Sequence, residues 1–206
     1  MKKTAVLVLS IVLSLWLINA APAERAANAQ VGEPAPDFTL VDSHGQEHSL
    51  SDFRGQVVVL EWLNHECPFV RKFYNAGKMQ ELQQRYTEKD VVWLSIISSR
   101  EGEQGWMTPE QINSANESKN VHATAVLIDE PGDVGRLYDA RTTPQMYVIN
   151  EEGVLVYNGA IDDKPTANPD DLRGAKNYVQ LALDSVLSGE AVEISTTRPY
   201  GCSVKY

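Results

Sequence analysis

Leu60-Glu61-Trp62-Leu63-Asn64-His65-Glu66-Cys67-Pro68-Phe69-Val70-Arg71-Lys72 is the stretch where an apolar strand pattern gives way to a helical one. The run 56–63 is near-continuous, apolar and rich in valine, the pattern of a central strand buried on both faces. After Cys67, Phe69, Phe73, Met79, Leu82 and Tyr86 recur among charges at helical spacing up to about Thr87, with Gly77 placed to bend or interrupt the helix. Cys67 therefore falls at the first turn of a helix. There, unpaired backbone N–H groups and the positive end of the helix dipole favour thiolate over thiol. Pro68 fits the first helical position, where its missing N–H costs nothing. The junction predicts a reactive Cys67.

Outward from this junction the punctuation is regular. Residues 35–40 and 46–50 flank the turn signal Asp42-Ser43-His44-Gly45, which predicts an N-terminal hairpin. Residues 91–97 read as a second central strand. Thr108-Pro109-Glu110-Gln111 opens a helix, with Thr108 as N-cap, Pro109 at the first position and Gln111 completing a capping box. Strands follow at 125–128, 145–149 and 154–157, with Glu151-Glu152-Gly153 as the turn between the last two. A closing helix runs over 178–187 and is stopped by Ser188-Gly189. The alternation of strands and helices predicts an α/β fold with a right-handed core whose final strand pair is antiparallel.

The first residues carry compartment information. Lys2 and Lys3 precede an apolar run over 5–18, and Ala21-Pro22-Ala23 offers a small-x-small cleavage site, so 1–23 reads as a signal peptide and 24–30 as a flexible lead-in to a single domain over 31–206. Ala20 and Ala29 are competing cleavage points, and an uncleaved N-terminal anchor is the alternative. Export implies a periplasmic or secreted protein in an oxidising environment, with no stable membrane association once the signal is removed. Loss of Lys2 and Lys3 takes the net charge from −10 to −12, which makes nucleic acid and anionic membrane poor partners. The chain has two cysteines, and the second, Cys202, lies in the tail beyond the closing helix. Both are expected to be oxidisable.

A helix-start cysteine after a core strand, combined with Thr142-Thr143-Pro144 before a later strand, resembles the thioredoxin-like superfamily, and within it the redoxin (alkyl hydroperoxide reductase/thiol-specific antioxidant) branch. The similarity extends to Gly32-Glu33-Pro34-Ala35-Pro36-Asp37-Phe38, to Tyr157-Asn158-Gly159-Ala160-Ile161-Asp162-Asp163 and to Tyr200-Gly201-Cys202-Ser203-Val204-Lys205. It implies a thioredoxin-like fold, a central mixed sheet flanked by helices with the N-terminal hairpin as an extension. It further implies that Pro144 is a cis-proline beside Cys67 and that Thr143 and Pro144 align a bound thiol or extended peptide. Two departures stand out. Thioredoxins carry Cys-x-x-Cys, whereas this chain has Val70 at the second position. Typical peroxiredoxins have threonine or serine three residues before the cysteine and a proline further upstream, whereas this chain has Asn64 and Leu60.

Cys67 is thus the candidate nucleophile, and Cys202 can supply the missing resolving thiol through a Cys67–Cys202 disulfide. A purely structural bridge is the alternative, removing roughly 4–5 kcal/mol of unfolded-state freedom. His65 is a candidate proton donor or thiolate partner, or simply a loop histidine. Arg71 and Lys72 favour the thiolate and Glu66 opposes it if its charge points inward. Asp162 and Asp163 read as proton-shuttling carboxylates or as a solvated turn, and Trp62 and Trp93 as core. Cys67, His65 and Cys202 offer soft ligands to copper(I). The two-cysteine spacing of copper-delivery relatives is absent, so neither metal nor cofactor is expected. The expected activity is thiol-disulfide oxidoreduction on a protein disulfide, a small thiol or a peroxide, with a thiol reductant as electron donor. A peroxiredoxin-like peroxidase and a non-catalytic binding module with a structural disulfide are the alternatives.

Overall fold

A computed structural model describes residues 28–206. The expected signal, 1–23, and the first four residues of the lead-in lie outside the described residues. The remainder of the lead-in is not free: Ala29 N–H donates to the Leu137 carbonyl, so attachment to the domain begins before Val31.

Seven strands form one mixed sheet. The hairpin β1 (Thr39–Asp42) and β2 (Glu47–Ser49) turns at Asp42, whose Oδ1 accepts from His44 N and Gln46 N. Next come β3 (Val58–Trp62), β4 (Val92–Ile97), β5 (Ala125–Ile128), then a two-residue β6 (Thr142–Thr143), β7 (Gln145–Ile149) and β8 (Leu155–Gly159). The spatial order is β2-β1-β5-β4-β3-β7-β8. β3, β4 and β5 are parallel, while β7 is antiparallel to both β3 and β8. The hairpin joins this sheet through β1, antiparallel to β5. This is the thioredoxin-like α/β arrangement that the sequence implied.

The helical run after Cys67 is two helices, α1 (Pro68–Asn75) and α2 (Lys78–Thr87). Gly77 separates them at φ 70°, a left-handed conformation that glycine takes without a Cβ penalty. α3 (Pro109–Lys119) starts with the expected capping box, Thr108 Oγ1 accepting from Gln111 N and Gln111 Oε1 from Thr108 N. A short α4 (Asp133–Leu137) precedes β6, and α5 (Tyr178–Leu187) closes the domain core.

Because side chains alternate along a strand, β3 divides the core. Val59 and Leu63 pack with Cys67, Val70 and Phe73 of the α1 side and with Val179 and Leu183 of α5. Val58, Leu60 and Trp62 pack on the opposite face with Phe38, Tyr138 and Tyr147. Beyond α5 the tail returns to the domain. Its two-residue β9 (Cys202–Ser203) lies antiparallel to β6, with Cys202 opposite Thr143. That ladder brings the second cysteine to the first.

Candidate active site

Cys67 is the N-cap of α1, with Pro68 at the first helical position as read from the sequence. Its Sγ is fully buried and lies 2.7 Å from Cys202 Sγ and 3.0 Å from the Thr143 carbonyl oxygen. The Thr143–Pro144 peptide is cis. Three of the residues singled out from the sequence, Cys67, Cys202 and Thr143, therefore meet around one sulfur, from elements far apart in the chain.

The electrostatics separate the two thiols. Burial pushes the Cys67 thiol up, but hydrogen bonds from the Cys202 thiol, the Val70 N–H at the helix start and the Cys202 N–H outweigh it and hold Cys67 below its ordinary value. Burial, the bond to Cys67 and repulsion from a Cys67 thiolate push Cys202 up to about 12. Of the two, Cys67 is the sulfur that ionises first.

The supporting residues are placed differently from the expectation. Arg71 is exposed, and its side chain makes no hydrogen bond or ion pair among the described residues. Lys72 turns away from the sulfur: its Nζ lies 3.4 Å from Asp162 Oδ2 and donates to the Lys164 carbonyl at 2.8 Å. Asp162 is buried in this pair and also accepts from the Tyr200 hydroxyl, so it is neither a shuttle at the cysteine nor a solvated turn. Glu66 points outward, where Oε2 accepts from Gly105 N at 3.2 Å. Asn64 is spent on the backbone, accepting from Glu66 N and donating to the Gln104 carbonyl.

His65 does not reach the sulfur as a hydrogen-bond partner. Its ring stands edge-on to Tyr74 at 5.2 Å, and neither ring nitrogen has a partner among the described residues. Burial, with Lys119 nearby, lowers its imidazole to about 4, so it is neutral in the folded protein. Unfolded, it takes up a proton near 6.5. Between those values the unfolded state binds more protons, so stability falls as pH drops through that window. Wild-type stability is expected to fall by about 3 kcal/mol relative to His65→Phe between pH 7 and 4. Urea unfolding of both proteins at each pH measures the difference. Parallel pH dependences would show that His65 is not held neutral.

A buried carboxylate escaped the sequence reading. Glu61 of β3 points to the α1 face and is fully enclosed. Its Oε1 accepts from Tyr74 Oη at 3.0 Å; Oε2 accepts from Trp93 Nε1 at 2.8 Å, Ser95 Oγ at 2.9 Å and Gln83 Nε2 at 3.2 Å. Burial pushes its carboxyl above the ordinary range and the four donors pull it back only in part. The signal was present: a single acid inside an otherwise apolar central strand has to meet donors on neighbouring elements.

A helix-start thiol in contact with a second thiol, next to a cis-proline, is an arrangement suited to thiol redox chemistry. The AhpC/TSA family profile matches residues 31–158. The chain belongs to the AhpC/TSA family. Among similar proteins, the thiol-disulfide oxidoreductase ResA of Geobacillus thermodenitrificans is 30% identical over 162 residues, covering 74% of this chain and 86% of ResA. The thioredoxin-like protein YneN of Bacillus subtilis is 27% identical over 141 residues, 68% of this chain and 77% of YneN. A crystal structure of an uncharacterised conserved protein from Geobacillus kaustophilus superposes with a TM-score of 0.73 at 26% identity, covering 86% of this chain and 92% of that one. This AhpC/TSA protein is an oxidoreductase of the thiol-disulfide class.

Proposed function

We propose that this AhpC/TSA protein is an exported thiol-disulfide oxidoreductase whose working couple is Cys67 and Cys202, Cys67 being the nucleophilic thiolate and Cys202 the sulfur that closes the disulfide on it. The observation that carries this reading is the 2.7 Å approach of the two sulfur atoms at the start of α1. A thiolate there attacks a disulfide sulfur, and the second thiol is already in place to complete the exchange. Export rests on Lys2, Lys3 and the apolar run 5–18 ahead of Ala21-Pro22-Ala23, outside the described residues.

Disulfide exchange is favoured over peroxide reduction by what surrounds the sulfur. Peroxide cleavage calls for donors aimed at the departing oxygen. Asn64, where typical peroxiredoxins have threonine or serine, has its side chain committed to Glu66 N and the Gln104 carbonyl. The substrates are then protein disulfides and thiols, with a thiol reductant as electron donor.

The test is intact mass after incubation of reduced protein with oxidised glutathione or with hydrogen peroxide. Wild type is expected to lose two hydrogens as the internal disulfide forms, faster with the disulfide than with peroxide. Replacing either cysteine by serine is expected to abolish that loss. Faster oxidation by peroxide, with sulfenic acid on Cys67, would make this a peroxidase instead.

A further inference from the structure

The couple is asymmetric in access. Cys67 is fully buried, 0% exposed, and Cys202 sits against its sulfur, whereas Cys202 itself is only half-buried. The tail that carries Cys202 is fastened on both sides of it. Upstream, Thr197 Oγ1 meets the Tyr157 hydroxyl and accepts from Ala160 N, and Tyr200 donates to Asp162 and packs edge-on to Phe69. Downstream, Val204 N donates to the Arg141 carbonyl and Arg100 N donates to the Lys205 carbonyl. The Tyr206 ring fills the space over Gly132 and Gly135, where an added Cβ would come within 2.2 and 2.4 Å of it. Between these anchors the tail pairs with Thr143 as an added strand would, with a cysteine facing the buried sulfur. The edge beside Cys67 is already occupied.

On the couple proposed above, we infer that the external thiol that reduces the oxidised couple attacks at Cys202, with the tail still docked, and that Cys67 serves in this step only as the leaving thiolate. In the oxidised protein an incoming thiolate attacks Cys202 Sγ. The Cys67–Cys202 S–S bond breaks, a mixed disulfide forms on Cys202, and Cys67 leaves with the electron pair as a thiolate. If the partner is a dithiol, its second thiolate attacks the partner's own sulfur in that mixed disulfide. The partner becomes a disulfide, Cys202 departs as a thiolate that takes up a proton, and the protein has gained two electrons. The acidities run the same way, because the better leaving group is Cys67. The ligand class is an accessible protein dithiol or small thiol that has to reach only the tail.

The experiment uses full-length protein oxidised to the internal disulfide. It is mixed with reduced glutathione, acid-quenched at early times, alkylated and peptide-mapped. Glutathione is expected on Cys202 at least ninefold more often than on Cys67. A majority on Cys67 would overturn the inference and leave the couple standing, whereas no adduct on either sulfur and no reduction of the disulfide would remove both. Gly201→Ala supplies a second arm. A Cβ there would lie 2.1 Å from the Thr143 carbonyl oxygen, and its φ of 142° disfavours other residues, so the substitution lifts the tail. The share on Cys67 is expected to rise at least fivefold. An unchanged share would refute shielding by the docked tail.

Discussion

Cys67→Ser is expected to lower disulfide turnover by at least about a thousandfold, because no other group in the site can take over as the attacking thiolate. The change is a clean one structurally. Serine keeps the size of the side chain, and its hydroxyl can donate to the Thr143 carbonyl that lies 3.0 Å from the present sulfur. The buried hydroxyl is thereby satisfied, so stability in reductant is expected to move by no more than about 1 kcal/mol. Turnover of a model disulfide by wild type and variant, followed as thiol release, makes the comparison. A variant that still turns over within tenfold of wild type would remove Cys67 from the chemistry.

Asp162→Asn carries the largest stability change expected outside the thiols. The side chains of Lys72 and Asp162 are 0% and 1% exposed. Removing one charge strands the other in the core. Breaking a buried pair this way costs roughly 3–5 kcal/mol, which for a domain of this size lowers Tm by about 10 °C. The measurement belongs in reductant, so that the Cys67–Cys202 bond does not contribute. Lys72→Met combined with Asp162→Leu is expected to regain much of the loss, since neither charge is then left alone. Because Tyr200 also donates to Asp162, the single substitution should speed alkylation of Cys202. A loss below 1 kcal/mol, with Cys202 no more reactive, would mean that the pair does not hold the tail.

What could be read from the residues was whatever is settled by neighbours in the chain. The valine-rich run before Cys67 became β3, Thr108, Pro109 and Gln111 capped α3, and Ser188-Gly189 ended α5. Of the two outcomes expected of Gly77, a bend or an interruption, the structure has the second: it separates α1 from α2. Expectations for individual charged side chains failed where the partner lies elsewhere in the sequence. Lys72 sits one turn after Cys67, where the sequence makes it a cation for the thiolate, but its carboxylate comes from Asp162 beyond β8. Glu61 is inconspicuous inside an apolar pattern although it gathers donors from α1, α2 and β4. The tail has no periodicity to interpret, and its pairing with Thr143 becomes visible only when β6 is in place.

The two sulfur atoms that touch across the β6 and β9 ladder are 135 positions apart in the polypeptide. At a synthesis rate of roughly 5–20 residues per second, Cys67 exists for about 7–27 s before its partner has been made. All seven strands of the sheet and the last helix are encoded before residue 190, so the scaffold is complete while the couple is not. During that interval the nascent chain carries one unpaired thiol, open to any oxidant or stray disulfide it meets. A message truncated anywhere between Gly189 and Gly201 would yield a domain with a full sheet and no redox partner for Cys67. The pair proposed as the redox couple is completed only after the whole sheet has been made.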